Sequence, residues 1–180
     1  MEEVILFYGM VGEPVVRKIY PEMAPGSSLK LSHTEELEPG QFAPGTRLRA
    51  WWEVVLRSGE TVSLPEEQLT YVDQEIEWQQ LQGEQVTLHW HGRAESRAED
   101  LLALAEDVID RLAREMGVPR PGEATIWVYN NERDMSRATS ARSESYDARV
   151  VTLGMAMGDG TLLLLGSHSD VRETLAHELC

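Results

Sequence analysis

No segment before residue 95 has a helical hydrophobic period longer than about two turns, so the first half of the chain is predicted to be β-structure. Short stretches rich in β-branched and aromatic residues alternate there with breakers such as Pro39-Gly40 and Pro44-Gly45. The predicted strands are Val4–Tyr8, Val15–Tyr20, Leu29–Leu31, Arg47–Leu56, Thr61–Leu64 and Leu69–Val72.

The second half has a different pattern, in which strands alternate with helices. Ser96–Met116 is an amphipathic helix whose start is a predicted capping box, Ser96 with Glu99, and whose stop is Gly117 followed by Pro119. Its apolar face is predicted to contain Leu101, Ala105, Val108, Ile109, Leu112 and Met116. The predicted strands are Val86–Trp90, Ala124–Tyr129, Val150–Leu153 and Thr161–Leu165, and Asn130–Tyr146 is predicted to be a loop with a short helix.

These patterns predict an α+β protein with two domains. Residues 1–77 are predicted to form an antiparallel β-sandwich of the immunoglobulin or fibronectin kind, with earlier strands missing because Val4 opens at once on a strand. Residues 78–180 are predicted to form a mixed α/β domain. Its last helix begins near Asp170, with Glu173 as capping partner, and still runs at Cys180, as in a cut fragment.

The charge of the chain excludes one class of partner. With 16 Lys and Arg against 31 Asp and Glu, the formal net charge is −15, which repels phosphate backbones and argues against nucleic-acid binding. No run of 18 apolar residues is present, and acidic Glu2 and Glu3 do not fit a signal peptide. Membrane association is therefore expected only through segments outside this chain.

The last helix contains the dipeptide His177-Glu178, which is how the zinc-peptidase motif His-Glu-x-x-His opens. In that motif two histidines four residues apart lie on one helical face and bind zinc, and the glutamate acts as general base. The alternative is a surface histidine beside a solvated glutamate. The helix has a predicted buried face, which consists of Val171, Leu175 and Leu179.

Other candidate residues have simpler readings as packing groups. His89 and His91 share one face of a strand and could bind metal, but no third ligand lies nearby in sequence, so packing is favoured. Trp51 and Trp52 are predicted to pack in the core or an interface. Met157, together with Met155, is predicted to fill gaps in the core, and Cys180 is predicted to be a half-buried thiol.

Arginines are concentrated in one polar stretch, where they could bind an anion. They alternate with acidic residues, which favours a solvated loop. The arginines are Arg133, Arg137, Arg142 and Arg149.

From about Trp51 to Cys180 the chain resembles bacterial extracytoplasmic proteins with a peptidase-MA-like domain, within the gluzincin metallopeptidases. The resemblance is a succession of short motifs with the same order and spacing. They are Tyr71-Val72-Asp73, Trp78, Leu88-His89-Trp90-His91-Gly92, Met116-Gly117, Ile126-Trp127-Val128-Tyr129, Gly154-Met155-Ala156 and His177-Glu178. Two departures are His91, where an aromatic residue is usual, and the end of the chain before the second zinc histidine and the downstream glutamate ligand.

The resemblance implies that His177 is the first zinc ligand and Glu178 the general base, with zinc as cofactor and a peptide or protein as substrate. It also implies a location outside the cytoplasm or at the cell envelope. Substrate binding is assigned to Gly154, Met155 and Ala156. Thr161–Leu165 would lie near the sheet edge beside the cleft and pair with the substrate backbone, although a buried core strand is the favoured alternative.

Two functions follow for this sequence. The first is a fragment of a zinc-dependent metallopeptidase, itself inactive because one histidine and one glutamate are too few ligands for zinc. The alternative is a non-catalytic extracytoplasmic module for binding or assembly that carries a degenerate peptidase-like domain.

Overall fold

The computed structural model of the chain describes residues 2–22, 30–38, 40–92, 94–117, 123–139, 153–157 and 160–179. By their contacts the residues fall into two compact units. Unit 1 consists of residues 1–38 and 44–72, and unit 2 consists of residues 39–43 and 73–180. The boundary predicted between residues 77 and 78 separates two domains, and that division stays a prediction.

Unit 1 is built on an antiparallel sheet of five strands. The strands are β1 (Glu3–Met10), β2 (Arg17–Ile19), β3 (Arg47–Val55), β4 (Thr61–Ser63) and β5 (Glu67–Thr70). The order is β2-β1-β3-β4, and β5 also pairs with β3. Within the described residues of this unit all strands belong to this sheet, so the second sheet of a sandwich stays a prediction.

Two aromatic residues of unit 1 pack against each other on the neighbouring strands β1 and β3. Phe7 lies opposite Trp51 in the β1–β3 register, and the two rings stack with centroids 5.0 Å apart. Stacked pairs of this kind add to the free energy of burial. Trp51 therefore packs as the sequence predicted. Lys30 and Leu31, in contrast, have irregular structure and not the predicted strand.

Unit 2 contains a mixed five-stranded sheet, so the chain is an α+β protein with one antiparallel and one mixed sheet. The strands are β6 (Gln79–Gln82), β7 (Val86–Trp90), β8 (Ala124–Tyr129), β9 (Gly154–Ala156) and β10 (Thr161–Leu165), in the order β6-β7-β8-β10-β9. The three central strands, β7, β8 and β10, are parallel, and the two edge strands, β6 and β9, are antiparallel to their neighbours. The predicted strand at 150–153 falls mostly outside the described residues.

Within the described residues, three helices complete unit 2: α1 (Glu95–Met116), α2 (Glu132–Arg137) and α3 (Val171–Glu178). Gly117 ends α1 in the left-handed conformation, as predicted. The predicted capping box is wrong, because α1 begins one residue earlier and Ser96 lies inside it. Met116 is 65% exposed, so the apolar face of α1 ends before its last turn. Within the part of the chain that the structure describes, no helix could span a bilayer.

The sheet of unit 2 has a hydrophobic layer on each face, because successive strand residues point to opposite sides. The first layer joins β7, β8 and β10 to α1 and α3 through residues such as Leu88, Ile126 and Leu164. The second layer lies under α2 and contains Trp127, Tyr129 and Leu163. α3, which carries the candidate site, is thus held on the same face as α1.

Candidate functional site

α3 is held against the sheet by the apolar face that its sequence predicted. Val171 is 4% exposed, Leu175 is fully buried, and Leu179 packs partly against the same core. The helix begins after Asp170, as predicted, but the side chain of Asp170 makes no capping hydrogen bond. Its carboxylate accepts instead from the Ser169 hydroxyl at 2.8 Å. Packing, not capping, therefore positions α3.

The two motif residues at the end of α3 have different surroundings. His177 is exposed in the last turn. Glu178 is half-buried, and its carboxylate accepts a hydrogen bond from the backbone N–H of Ala156 at 3.2 Å. The structure thus brings the predicted general base close to two of the three predicted substrate-binding residues, Ala156 through this hydrogen bond and Gly154 through close packing.

Gly154 lies beneath α3 and allows this approach. A Cβ atom built at Gly154 would lie 2.7 Å from Cγ2 of Thr174 and 2.9 Å from Cγ of Glu178. Both distances are shorter than ordinary van der Waals contact. Thr174 and Glu178 are one turn apart, so they share the helical face that meets the strand. The absence of a side chain at residue 154 is what lets the helix come so close to β9.

The edge position in the sheet belongs to β9 and not to β10. β10 lies between β8 and β9, and every one of its residues is buried, which confirms the core reading of Thr161–Leu165. Among the described strands β9 pairs with β10 alone, and Ala156 is exposed. Met155 points to the opposite face and packs with Met157 against the second core layer, as predicted for gap-filling residues.

The two histidines of the β7 region pack against aromatic rings on the face opposite α3. His89 stacks on Trp127 with ring centroids 3.9 Å apart, and burial lowers its pKa below the ordinary 6.5. The ring of His91 meets those of Trp78 and Tyr129 edge-on. Nε2 of His91 accepts from the backbone N–H of Asn130 at 3.3 Å. Both imidazoles therefore serve packing, the reading that the sequence favoured.

A groove of about 730 Å³ lies beside this aromatic cluster. Its lining mixes acidic and aromatic side chains, and Arg137 forms an ion pair with Glu75 across it. The hydrogen bond and the charge of Glu75 raise the pKa of Arg137 above its ordinary value. Arg137 is thus engaged in a surface ion pair, while Arg142 and Arg149 lie outside the described residues. Sequence reasoning did not find this groove.

The described residues do not by themselves make up a zinc site. Catalytic zinc uses three protein ligands and a water molecule. Across the described ranges, no three His, Cys, Asp or Glu side chains form a group that could hold a metal ion. His177 offers one exposed imidazole, so the described residues alone do not fit a zinc ion. Cys180, next to the motif, lies outside the described residues.

Thr174 is the contact residue that sequence reasoning missed. Its methyl group would be the nearest atom to a side chain at residue 154, yet nothing in the local pattern of α3 sets it apart. A small residue facing a helix from a strand is a signal of close packing, and Gly154 carried that signal.

Comparisons with protein-family models, with curated proteins and with solved structures found no match to this chain.

Proposed function

We propose that this chain is part of a zinc-dependent metallopeptidase, the part that contains the first metal ligand and the general base. In this proposal unit 2 is the first portion of a gluzincin-like domain, and unit 1 belongs to a sandwich of the immunoglobulin or fibronectin kind. The protein works outside the cytoplasm or at the cell envelope.

One observation carries the proposal: the candidate base lies beside the candidate substrate strand. The Glu178 carboxylate contacts the Ala156 N–H of an edge strand, and extended peptides bind to edge strands by backbone pairing. A general base must lie within hydrogen-bond reach of the group that it serves, and a substrate held on β9 would meet that requirement.

His177 has the position that a metal ligand needs in this proposal. Its imidazole is exposed at the end of α3, one residue before Glu178, while the buried face of the helix is fixed by Leu175. The other ligands would come from chain beyond Cys180. A zinc ion held by His177 and those further ligands would supply a water of lowered pKa and a Lewis acid for the peptide carbonyl.

The test is hydrolysis of a peptide mixture by a chain continued beyond Cys180. We expect zinc-dependent cleavage that Glu178→Gln lowers about a hundredfold or more, because the amide cannot take a proton from water. Glu173→Gln, which alters an exposed carboxylate in the first turn of the same helix, is the matched control and should retain activity. Unchanged cleavage by the Glu178→Gln variant would remove the general-base assignment.

The groove beside Trp78 favours a second candidate, a non-catalytic module for binding or assembly. Its lining includes Ile76 and the half-buried Trp78, with carboxylates around them. A mixed apolar and polar lining of this kind is common in ligand sites. This candidate predicts a continued chain without zinc-dependent cleavage, in which a bound partner protects the Trp78 region from hydrogen exchange.

A further inference from the structure

The edge strand β9 has backbone groups that its neighbour does not use. The ladder to β10 includes hydrogen bonds from Met157 N–H to Thr161 at 2.7 Å and from Leu165 N–H to Leu153 at 2.8 Å. In an antiparallel pair alternate residues direct their N–H and C=O groups toward the partner. Gly154 and Ala156 alternate with the residues that bond to β10. Their N–H and C=O groups therefore point away from β10, toward any strand added at the edge.

Glu178 occupies this edge at one position. The outward N–H of Ala156 donates to the Glu178 carboxylate, although Ala156 itself is exposed. A peptide strand added to β9 would need the same N–H as a donor for one of its carbonyl groups. The carboxylate and the peptide therefore compete for a single backbone group.

The helix is built to keep the carboxylate there. Leu175 is fully buried, which fixes the rotation of α3 about its axis. The missing side chain at Gly154 lets Thr174 and Glu178 lie against the strand. Packing along a full helical turn thus places Glu178 beside β9, and the conformation of its side chain completes the contact at Ala156.

We propose that Glu178 gates the edge of β9: its carboxylate holds the Ala156 N–H in the free protein and leaves it when an extended peptide backbone pairs with the strand. This inference rests on the proposed function and deepens it, because peptide pairing with β9 would release the Glu178 carboxylate from the Ala156 N–H. The same binding step that places the substrate would thus free the general base.

The occupant is a peptide backbone and not a second copy of the chain. Two copies paired through β9 would bring two Glu178 carboxylates close together, and each chain carries a formal charge of −15. Like charges at short distance disfavour such a pair. An uncharged extended peptide has the complementary carbonyl groups without this repulsion.

The experiment follows backbone amides of the ¹⁵N-labelled 180-residue chain by NMR, with an acetylated and amidated Thr-Val-Thr-Val-Thr peptide as the probe. We expect the peptide to shift the amides of Ala156 and Gly154. In Glu178→Ala we expect faster exchange of the Ala156 amide and at least about fivefold tighter peptide binding, because a competing charge-assisted hydrogen bond is gone. Glu173→Ala is the control and should behave as the unaltered chain does.

Three outcomes would overturn the gate: equal peptide affinity in Glu178→Ala and the unaltered chain, peptide-induced shifts confined to the other edge strand β6, or dimer formation by Glu178→Ala in place of peptide binding. The experiment needs neither zinc nor hydrolysis. Peptide binding at β9 that tightens in Glu178→Ala would support the gate. If the chain continued beyond Cys180 then cleaved no peptide, the gate would stand and the peptidase proposal would be rejected.

Discussion

At the scale of single residues, Glu106 stabilises the turn between β6 and β7. One oxygen of its carboxylate accepts from the backbone N–H groups of Gln85 and Val86 at 2.9 and 3.0 Å, and the other accepts from the Gln85 amide at 3.3 Å. Gly83 leaves the space, since a Cβ there would collide with the same carboxylate. A glutamate from α1 thus fixes the hairpin that precedes that helix.

Replacing Glu106 with alanine should lower the free energy of unfolding of unit 2 by about 2 to 3 kcal/mol, because partly buried N–H groups lose a charged acceptor. Chemical denaturation followed by tryptophan fluorescence measures this change. Asp107→Ala is the matched control, since Asp107 is the exposed neighbour on α1, and it should change stability by less than about 0.5 kcal/mol. Equal effects of the two substitutions would contradict the role of Glu106.

His89 makes stability depend on pH. Burial lowers its pKa below 6.5, so the unfolded chain binds the proton more readily than the folded chain. The free energy of unfolding should therefore fall as the pH is lowered from neutral through 6.5, with the loss ending below the folded-state pKa.

His89→Phe keeps an aromatic ring on Trp127 and removes the titrating group. Denaturant titrations across this range should show a flatter pH dependence for the variant than for the unaltered chain. Identical slopes for the two proteins would show that other groups set the dependence.

At the scale of the elements, the contact of α3 with β9 depends on Gly154. Gly154→Ala should destabilise unit 2 by about 1 to 3 kcal/mol, because the new methyl group meets Thr174 and Glu178 at less than contact distance. Thr174→Ser removes the nearest methyl group, so the double variant should recover part of the loss. A double-mutant cycle from denaturation curves measures the coupling, and additive effects would contradict direct contact.

Long apolar elements could be predicted from the sequence, and short polar ones could not. β7, β8 and β10 have the predicted bounds because their buried residues form continuous apolar or alternating runs. β6, with the sequence Gln79–Gln82, was missed because three of its four residues are exposed at a sheet edge. Its strand conformation comes from pairing with β7, which no local pattern encodes.

The candidate site was predictable only as separate parts. His177 and Glu178 were found from a motif, and Gly154 and Ala156 from a resemblance. The hydrogen bond that joins Glu178 to Ala156 connects residues 22 apart in the chain. It depends on the edge position of β9 and on the rotation of α3, and both are products of tertiary packing.

At the scale of the whole molecule, the mixed sheet of unit 2 holds α3 through the first core layer, in which Leu175 is fully buried. Leu175→Ala should lower the free energy of unfolding by about 2 to 5 kcal/mol, because it leaves a cavity beneath the helix. Hydrogen exchange should then show faster exchange in α3 than in α1. The exposed Arg172→Ala is the control and should change neither quantity.

Zinc content is the measurement that tests the central claim most directly. A chain continued beyond Cys180 should contain about one zinc ion per molecule by elemental analysis, as a catalytic site with three protein ligands does. His177→Ala should lose most of that zinc while its circular dichroism spectrum is retained. A continued chain without zinc, or one whose His177→Ala variant keeps its zinc, would contradict the assignment of α3 as a metal-binding helix.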